Sequence, residues 1–152
     1  MTHGEKNISV AYGELAVDGP DYPAIENTKT GDILVMTRSA VSKLRTEVNM
    51  KFGDALLKIN NVAENYPGVY SVWLKKTSGG WNFVFNERSD VWGTQHAAEA
   101  DVAEVAAKYS DSADATEKFE VKLESSGDGG VLSFACGPHL WTADFDIVVA
   151  AN

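Results

Sequence analysis

Apolar and polar residues alternate with a period of two along much of this chain, in segments separated by glycine-rich turns. The clearest segments are Ile8–Tyr12, Val48–Phe52, Trp81–Phe85, Phe119–Leu123 and Trp141–Ile147. Because successive side chains of a strand point to opposite faces, each segment can bury one face and expose the other, as antiparallel strands do. The pattern therefore predicts an all-β protein of about eight to ten short strands.

Glycine-rich turns join some of these segments into hairpins. Thr77–Gly80 separates two apolar segments, and Gly127–Gly130 separates two more. Many short strands connected in this way are typical of an antiparallel β-sandwich, here of the jelly-roll kind. The chain has 152 residues and neither a linker nor a repeat. Since domains usually have about 100–200 residues, we expect a single β-sandwich domain over residues 1–152.

The segment His96–Tyr109 does not follow the alternation. It is rich in alanine, and Val102, Val105, Ala106 and Tyr109 have the spacing of one helix face. Local propensity therefore predicts one short helix, packed across an end of the sandwich. A strand would form here only if pairing with neighbouring strands overrides that propensity.

The charge of the chain excludes several functional classes. Asp and Glu total 22 against 13 Lys and Arg, which gives a formal net charge of -9. Nucleic-acid binding needs a basic surface, so nucleic acid is not an expected partner. Anionic lipid surfaces are disfavoured for the same reason. No apolar segment reaches the roughly 18–20 residues of a membrane span, and residues 1–7 lack the apolar core of a signal peptide.

No established catalytic motif is present in the sequence. There is no Gly-x-Ser-x-Gly turn, no Walker A motif, no His-Glu-x-x-His and no EF-hand loop, so we expect no catalytic residues, no metal site and no cofactor. Cys136 lies in an apolar segment, and we interpret it as a buried structural residue rather than a nucleophile paired with His139. Asp144 and Asp146 share one strand face, which we interpret as a solvent-facing polar surface.

The four tryptophans do not have equivalent positions. Trp81 and Trp141 occupy inward-facing positions of their segments, whereas Trp92 is followed by a polar loop. That loop is the best candidate in the sequence for a contact with a small molecule or a glycan, although a tryptophan that plugs the end of a sandwich is the more common structural interpretation. The candidate ligand-binding residues are Trp92, Thr94, Gln95, His96 and Asp101.

Seven short motifs follow one another along the chain. They are Gly31–Ile33, Tyr70–Lys76, Phe83–Asn86, Trp92–His96, Asp101–Val102, Glu117–Val121 and Leu140–Phe145. Together they resemble a bacterial family catalogued as domain of unknown function 2911, over Gly31–Ile147. The resemblance implies one all-β domain, usually exported, with no established activity; an N-terminal strand and loop segment at 1–30 would precede the family-like core at 31–147. It also implies a strand over about Val102–Tyr109, against local propensity.

Several positions depart from the family's pattern. Family members commonly have Trp-Arg where this chain has Leu34 and Val35, and an asparagine near Ser39. A family tryptophan is replaced by Cys136. If a polar pocket is built on these positions, the chain has lost a cation and an amide there, which favours a binding or structural role over catalysis.

Two hypotheses about function follow. The first is a non-enzymatic exported protein of the bacterial envelope, periplasmic or extracellular, that binds a ligand or assembles with itself through edge strands. The segment before Gly31 could supply such a strand if Ile8–Leu15 were extended and unpaired. The alternative is a hydrolase-like or metal-dependent enzyme that acts on a small or sugar-like substrate at the Trp92–His96 loop, with Asp101, Glu87 or His96 as its active groups.

Overall fold

The structure, a computed structural model, describes residues 1–23 and 25–149. Within them the chain forms twelve strands and two 3-10 helices, Ile25–Asn27 and Ala98–Ala100. The strands are β1 (Thr2–His3), β2 (Lys6–Ala11), β3 (Ile33–Leu34), β4 (Ser42–Thr46), β5 (Asn49–Phe52), β6 (Ala55–Leu57), β7 (Gly68–Thr77), β8 (Gly80–Asn86), β9 (Asp101–Ser110), β10 (Glu120–Ser126), β11 (Gly129–Cys136) and β12 (His139–Val148). No helix in these ranges is long and apolar enough to cross a bilayer.

The strands form one large antiparallel sheet, which confirms the all-β prediction. The order is β1-β2-β4-β7-β8-β9-β12-β11-β10; β3 also pairs with β7, and β5 pairs with β12 and β6. The sheet is curled, so that aromatic rings from distant strands meet in its interior. The ring centroids of Phe83 and Phe134 are 5.2 Å apart, and those of Phe52 and Phe145 are 5.3 Å apart. The finer description as a jelly-roll-like sandwich stays a prediction.

Both predicted hairpins are present. β7 and β8 pair up to Thr77 opposite Gly80, and β10 and β11 pair up to Ser126 opposite Gly129. Gly127 in the second turn has φ +58°, a left-handed conformation that glycine adopts without the steric cost of a side chain. The glycines therefore fix the length of each hairpin loop and, with it, the register of the strands.

The alanine-rich segment is a strand, so the strand implied by the family resemblance is confirmed and the helix predicted from propensity is wrong. β9 lies between two partners: Phe83 of β8 pairs with Val105, and Trp141 of β12 pairs with Tyr109. Ala103, Val105 and Ala107 pack against the core. Helix formation here would leave the backbone groups of two neighbouring strands unpaired, a cost that outweighs the helix propensity of alanine. Only Ala98–Ala100, just before β9, is helical.

The N-terminal segment is paired within the chain. Ile8–Ala11 pairs with Lys43–Thr46 of β4. Further along, Val17 N donates to Glu117 O at 2.9 Å, and Phe119 N donates to Leu15 O at 2.8 Å. The segment thus links β2 to the region just before β10, and the unpaired Ile8–Leu15 considered for self-assembly is not present.

A polar contact on the outer face of β9 gives a prediction about pH. Asn82 Nδ2 donates to Glu104 Oε2 at 2.6 Å, and Lys75 Nζ donates to Oε1 at 3.1 Å. The Asn82 hydrogen bond is the largest influence and lowers the pKa of Glu104 below the ordinary value of 4.5; burial opposes it, and the hydrogen bond and charge of Lys75 lower the pKa further. The ionised Glu104 therefore stabilises the folded state at pH values above its ordinary pKa. This stabilisation is lost as the pH falls through the lowered pKa of the folded protein.

We therefore expect Asn82→Ala to raise the pKa of Glu104 towards 4.5. The measurement is an NMR titration of the glutamate carboxyl carbons. Glu47 is the internal control, because its pKa is lowered mainly by the backbone N–H of Asn7 and should not change. An unchanged titration of Glu104 would show that the Asn82 contact does not hold in solution.

Candidate functional site

Trp92 lies on the surface, with its backbone held by neighbouring segments. The residue is 60% exposed, which argues against a plug at the end of the sheet. It forms a β-bridge with Ala40, and Gly93 N donates to Ser39 O at 2.6 Å. Gln95 N donates to Trp92 O at 2.9 Å, while Gln95 Oε1 accepts from Trp92 N at 3.2 Å. A rigid turn therefore presents a large aromatic ring to solvent.

His96 and Asp101 are in direct contact beside this turn. His96 Nε2 lies 2.7 Å from Asp101 Oδ1. The same oxygen accepts from Asn86 Nδ2 at 2.8 Å, and Asn86 Nδ2 also donates to Ala97 O at 2.7 Å. Asn86 is the last residue of β8, and the β8–β9 register shifts there. Such bulges often redirect side chains next to functional sites.

The ring of Trp73 packs against the imidazole of His96. The rings are 5.1 Å apart and meet edge to face. Trp73 Nε1 donates to Ser71 Oγ at 2.9 Å, and Ser71 Oγ donates to Arg88 O at 2.8 Å. Trp73 also forms a small buried cluster with Val41 and Val84. The imidazole of His96 therefore packs against a tryptophan whose own position is fixed by packing and hydrogen bonds.

The structure brings the predicted residues into two adjacent groups. Trp92 and Gln95 share one turn, with Thr94 exposed between them, and His96 pairs with Asp101. Glu87 is different: its backbone N–H donates to Ala100 O, and no side-chain bond to the His96–Asp101 pair occurs in the described residues.

Sequence reasoning missed two residues of this site, Asn86 and Trp73. A buried asparagine that ends an apolar strand was the available signal for the first, since such a group must find partners. Trp73 carried no comparable signal, because its contact with His96 depends on how β7 lies beneath the loop.

Two chemistries considered from the sequence have no geometry to support them. Among residues 1–23 and 25–149, no group of three His, Cys, Asp or Glu side chains lies close enough to hold a metal ion. Cys136 is buried, as expected, and burial raises the pKa of its thiol to about 11. Both ring nitrogens of His139 bind other residues, Tyr109 and Glu26. A Cys–His nucleophile is therefore not formed.

A separate cleft contains two of the four positions that depart from the family's pattern. Leu34 and Val35 line it together with Tyr22, Thr28 and Arg38. The chain's other two arginines pair with carboxylates, whereas Arg38 has none within 4.0 Å in the part of the chain that the structure describes. Arg38 therefore places a cationic side chain in the wall of the cleft that Leu34 and Val35 line.

Comparison with known proteins gives one match. The sequence model of a family described as "Protein of unknown function (DUF2911)" covers residues 1–138, including the N-terminal segment. No curated protein matches, and no solved structure matches.

Proposed function

Because this chain belongs to the DUF2911 family of proteins of unknown function, we propose its function from the site itself: a non-enzymatic exported envelope protein that binds a glycan or a similar small polyol at Trp92. The single observation that carries this proposal is that Trp92 is 60% exposed while the backbone of its turn is hydrogen-bonded to the 39–41 segment. An exposed indole on an ordered backbone offers a flat apolar surface on which a ligand can stack.

The groups around Trp92 suit a sugar. The apolar face of a pyranose ring can stack on the indole, and its hydroxyls need both donors and acceptors nearby. Thr94 offers a hydroxyl, Gln95 offers its amide N–H groups, and Asp101 keeps one carboxylate oxygen outside the bond to His96. Since the turn is already ordered, binding would cost little conformational entropy.

Export is part of the same proposal. Membership of a family whose proteins are usually exported supports it. Cell fractionation of a bacterium that expresses the complete gene tests it, with the product expected in the periplasm or medium. Recovery of all the protein in the cytoplasm would contradict export.

Fluorescence offers a direct test of ligand binding. Trp73, Trp81 and Trp141 are buried, so iodide should quench Trp92 selectively. We expect an oligosaccharide from a panel of neutral and acidic hexose polymers to protect Trp92 from quenching. Trp92→Ala should weaken that binding about tenfold or more, or about 1.4 kcal/mol, because the stacking surface is gone.

The matched control is Tyr66→Ala, which removes an exposed aromatic ring from a different loop. It should leave binding, measured by isothermal titration calorimetry, unchanged. If no oligosaccharide in the panel protects Trp92, or if both variants bind equally, the glycan proposal fails.

A second candidate, hydrolysis of the bound molecule, is supported by the His96–Asp101 contact of 2.7 Å. A carboxylate that orients an imidazole is the arrangement used in general-base catalysis. His96→Gln would then abolish turnover while binding at Trp92 persists. Absence of any product from a bound oligosaccharide in the unaltered protein would leave binding as the function.

A further inference from the structure

A second group of polar side chains lies away from the Trp92 turn, around the buried His139. Tyr109 Oη is 2.7 Å from His139 Nδ1, and Glu26 Oε1 is 3.2 Å from His139 Nε2. A carboxylate only accepts hydrogen bonds, so His139 Nε2 carries the proton and donates it to Glu26. His139 Nδ1 is then the acceptor, and the phenol of Tyr109 donates to it.

The phenol is also in contact with buried aromatic rings. The ring of Tyr109 is 5.5 Å from that of Trp141 and 5.9 Å from that of Trp81. The two tryptophan rings are 5.5 Å apart. Trp81 and Trp141 are buried, whereas Tyr109 is 38% exposed. The cluster therefore extends from the core to the surface and ends at a phenol that is bonded to a base.

From this geometry we propose that Tyr109 is the preferred site of one-electron oxidation in this protein, with its phenolic proton passing to His139. The electron goes to an external radical oxidant such as nitrogen dioxide, which becomes nitrite. The phenolic O–H bond breaks and Nδ1 of His139 takes the proton. The products are a neutral phenoxyl radical and an imidazolium whose Nε2–H stays hydrogen-bonded to the Glu26 carboxylate.

The base is what distinguishes this tyrosine. Burial, and after it the charges of Asp111 and Glu26, raise the pKa of Tyr109, so the phenol is protonated at neutral pH. Removing an electron alone would leave a cation next to an apolar core, which is costly. Transfer of the proton to His139 moves that charge onto the imidazole, where the Glu26 carboxylate compensates it. Because Trp81 and Trp141 touch Tyr109, an oxidised tryptophan could also be reduced by Tyr109.

The chain contains suitable controls for accessibility. Tyr12 is 41% exposed and Tyr66 is 53% exposed, both slightly more than Tyr109. Neither hydroxyl has a hydrogen-bond partner within residues 1–23 and 25–149, unlike that of Tyr109. Exposure alone therefore predicts that Tyr109 reacts least of the three, and proton transfer predicts that it reacts most.

The experiment is brief exposure of the full chain to nitrogen dioxide, with nitrotyrosine quantified at each tyrosine by peptide mass spectrometry. We expect nitration of Tyr109 to exceed that of Tyr12 and Tyr66 roughly tenfold, which corresponds to a barrier about 1.4 kcal/mol lower. Nitration of Tyr109 at or below the level of Tyr12 would overturn the proposal.

Two variants test the proton path. Glu26→Gln keeps a hydrogen-bond acceptor for His139 but removes the negative charge that stabilises its imidazolium, and the Glu26 side chain is 71% exposed, so the fold should persist. His139→Gln removes the base, with folding verified by circular dichroism. Loss of the Tyr109 excess in either variant supports the proposal, and its survival in both overturns it.

Discussion

Replacing Trp141 with alanine is expected to lower the free energy of unfolding by about 3–5 kcal/mol, the usual cost of removing a fully buried tryptophan. Trp141 is completely buried and touches the rings of Trp81, Tyr109 and His139. Alanine would leave a cavity at the centre of this group. The free energy of unfolding of a domain is only about 5–15 kcal/mol. Urea denaturation followed by circular dichroism should therefore show a large shift of the midpoint.

Two variants accompany that measurement. Trp92→Ala deletes the same atoms from an exposed position, so we expect its midpoint to stay close to that of the unaltered protein. Trp141→Phe should cost much less than Trp141→Ala, because it keeps an aromatic ring and removes an indole N–H that has no partner among the described residues. Equal losses for Trp92→Ala and Trp141→Ala would contradict the assignment of Trp141 to the core.

Gly93→Ala is expected to have the second large effect, and it acts on the ligand site as well as on stability. A Cβ atom at position 93 would overlap the carbonyl group of Thr37 and come within 3.1 Å of Ser39 O. Backbone cannot move aside as a flexible side chain can, so Gly93 and the 37–39 segment must separate. We expect a loss of about 1–3 kcal/mol of stability, together with loss of the ordered position of Trp92.

Hydrogen exchange at the Gly93 amide reports this separation directly, because that N–H donates to Ser39 O in the unaltered protein. Gly79→Ala is the matched control, since a Cβ atom there meets no atom within 4 Å. Protection of the Gly93 amide should fall only in Gly93→Ala. Unchanged protection and unchanged stability would show that the close approach at Thr37 is absent in solution.

Much of the fold could be predicted because strand periodicity is a local property. The alternation around Phe83 and around Phe145 identified β8 and β12, and the glycines at 127, 129 and 130 identified the β10–β11 turn. Local reasoning failed at Val102–Tyr109. There the alanines favour a helix, but β8 and β12 each need a hydrogen-bonding partner, and that demand comes from residues far away in sequence.

The candidate site could be predicted only in part. Trp92, Gln95, His96 and Asp101 lie within ten residues of one another, so a polar loop was visible in the sequence. Asn86 and Trp73 belong to other strands, and only the assembled sheet brings them to His96 and Asp101. The Glu26–His139 contact joins residues 113 positions apart, and no local pattern indicates such a pairing.

The amino-acid sequence by itself determined that the chain forms antiparallel strands and where most of the turns between them lie. It also determined that Trp81 and Trp141 are buried. These features follow from side-chain alternation and glycine turns, which act over a few residues. The tertiary structure decided that the alanine-rich segment is a strand, that Trp92 is exposed, and which partners His96 and His139 have. These outcomes depend on hydrogen bonds and packing between distant segments, whose free energy exceeds the local preferences of the residues involved.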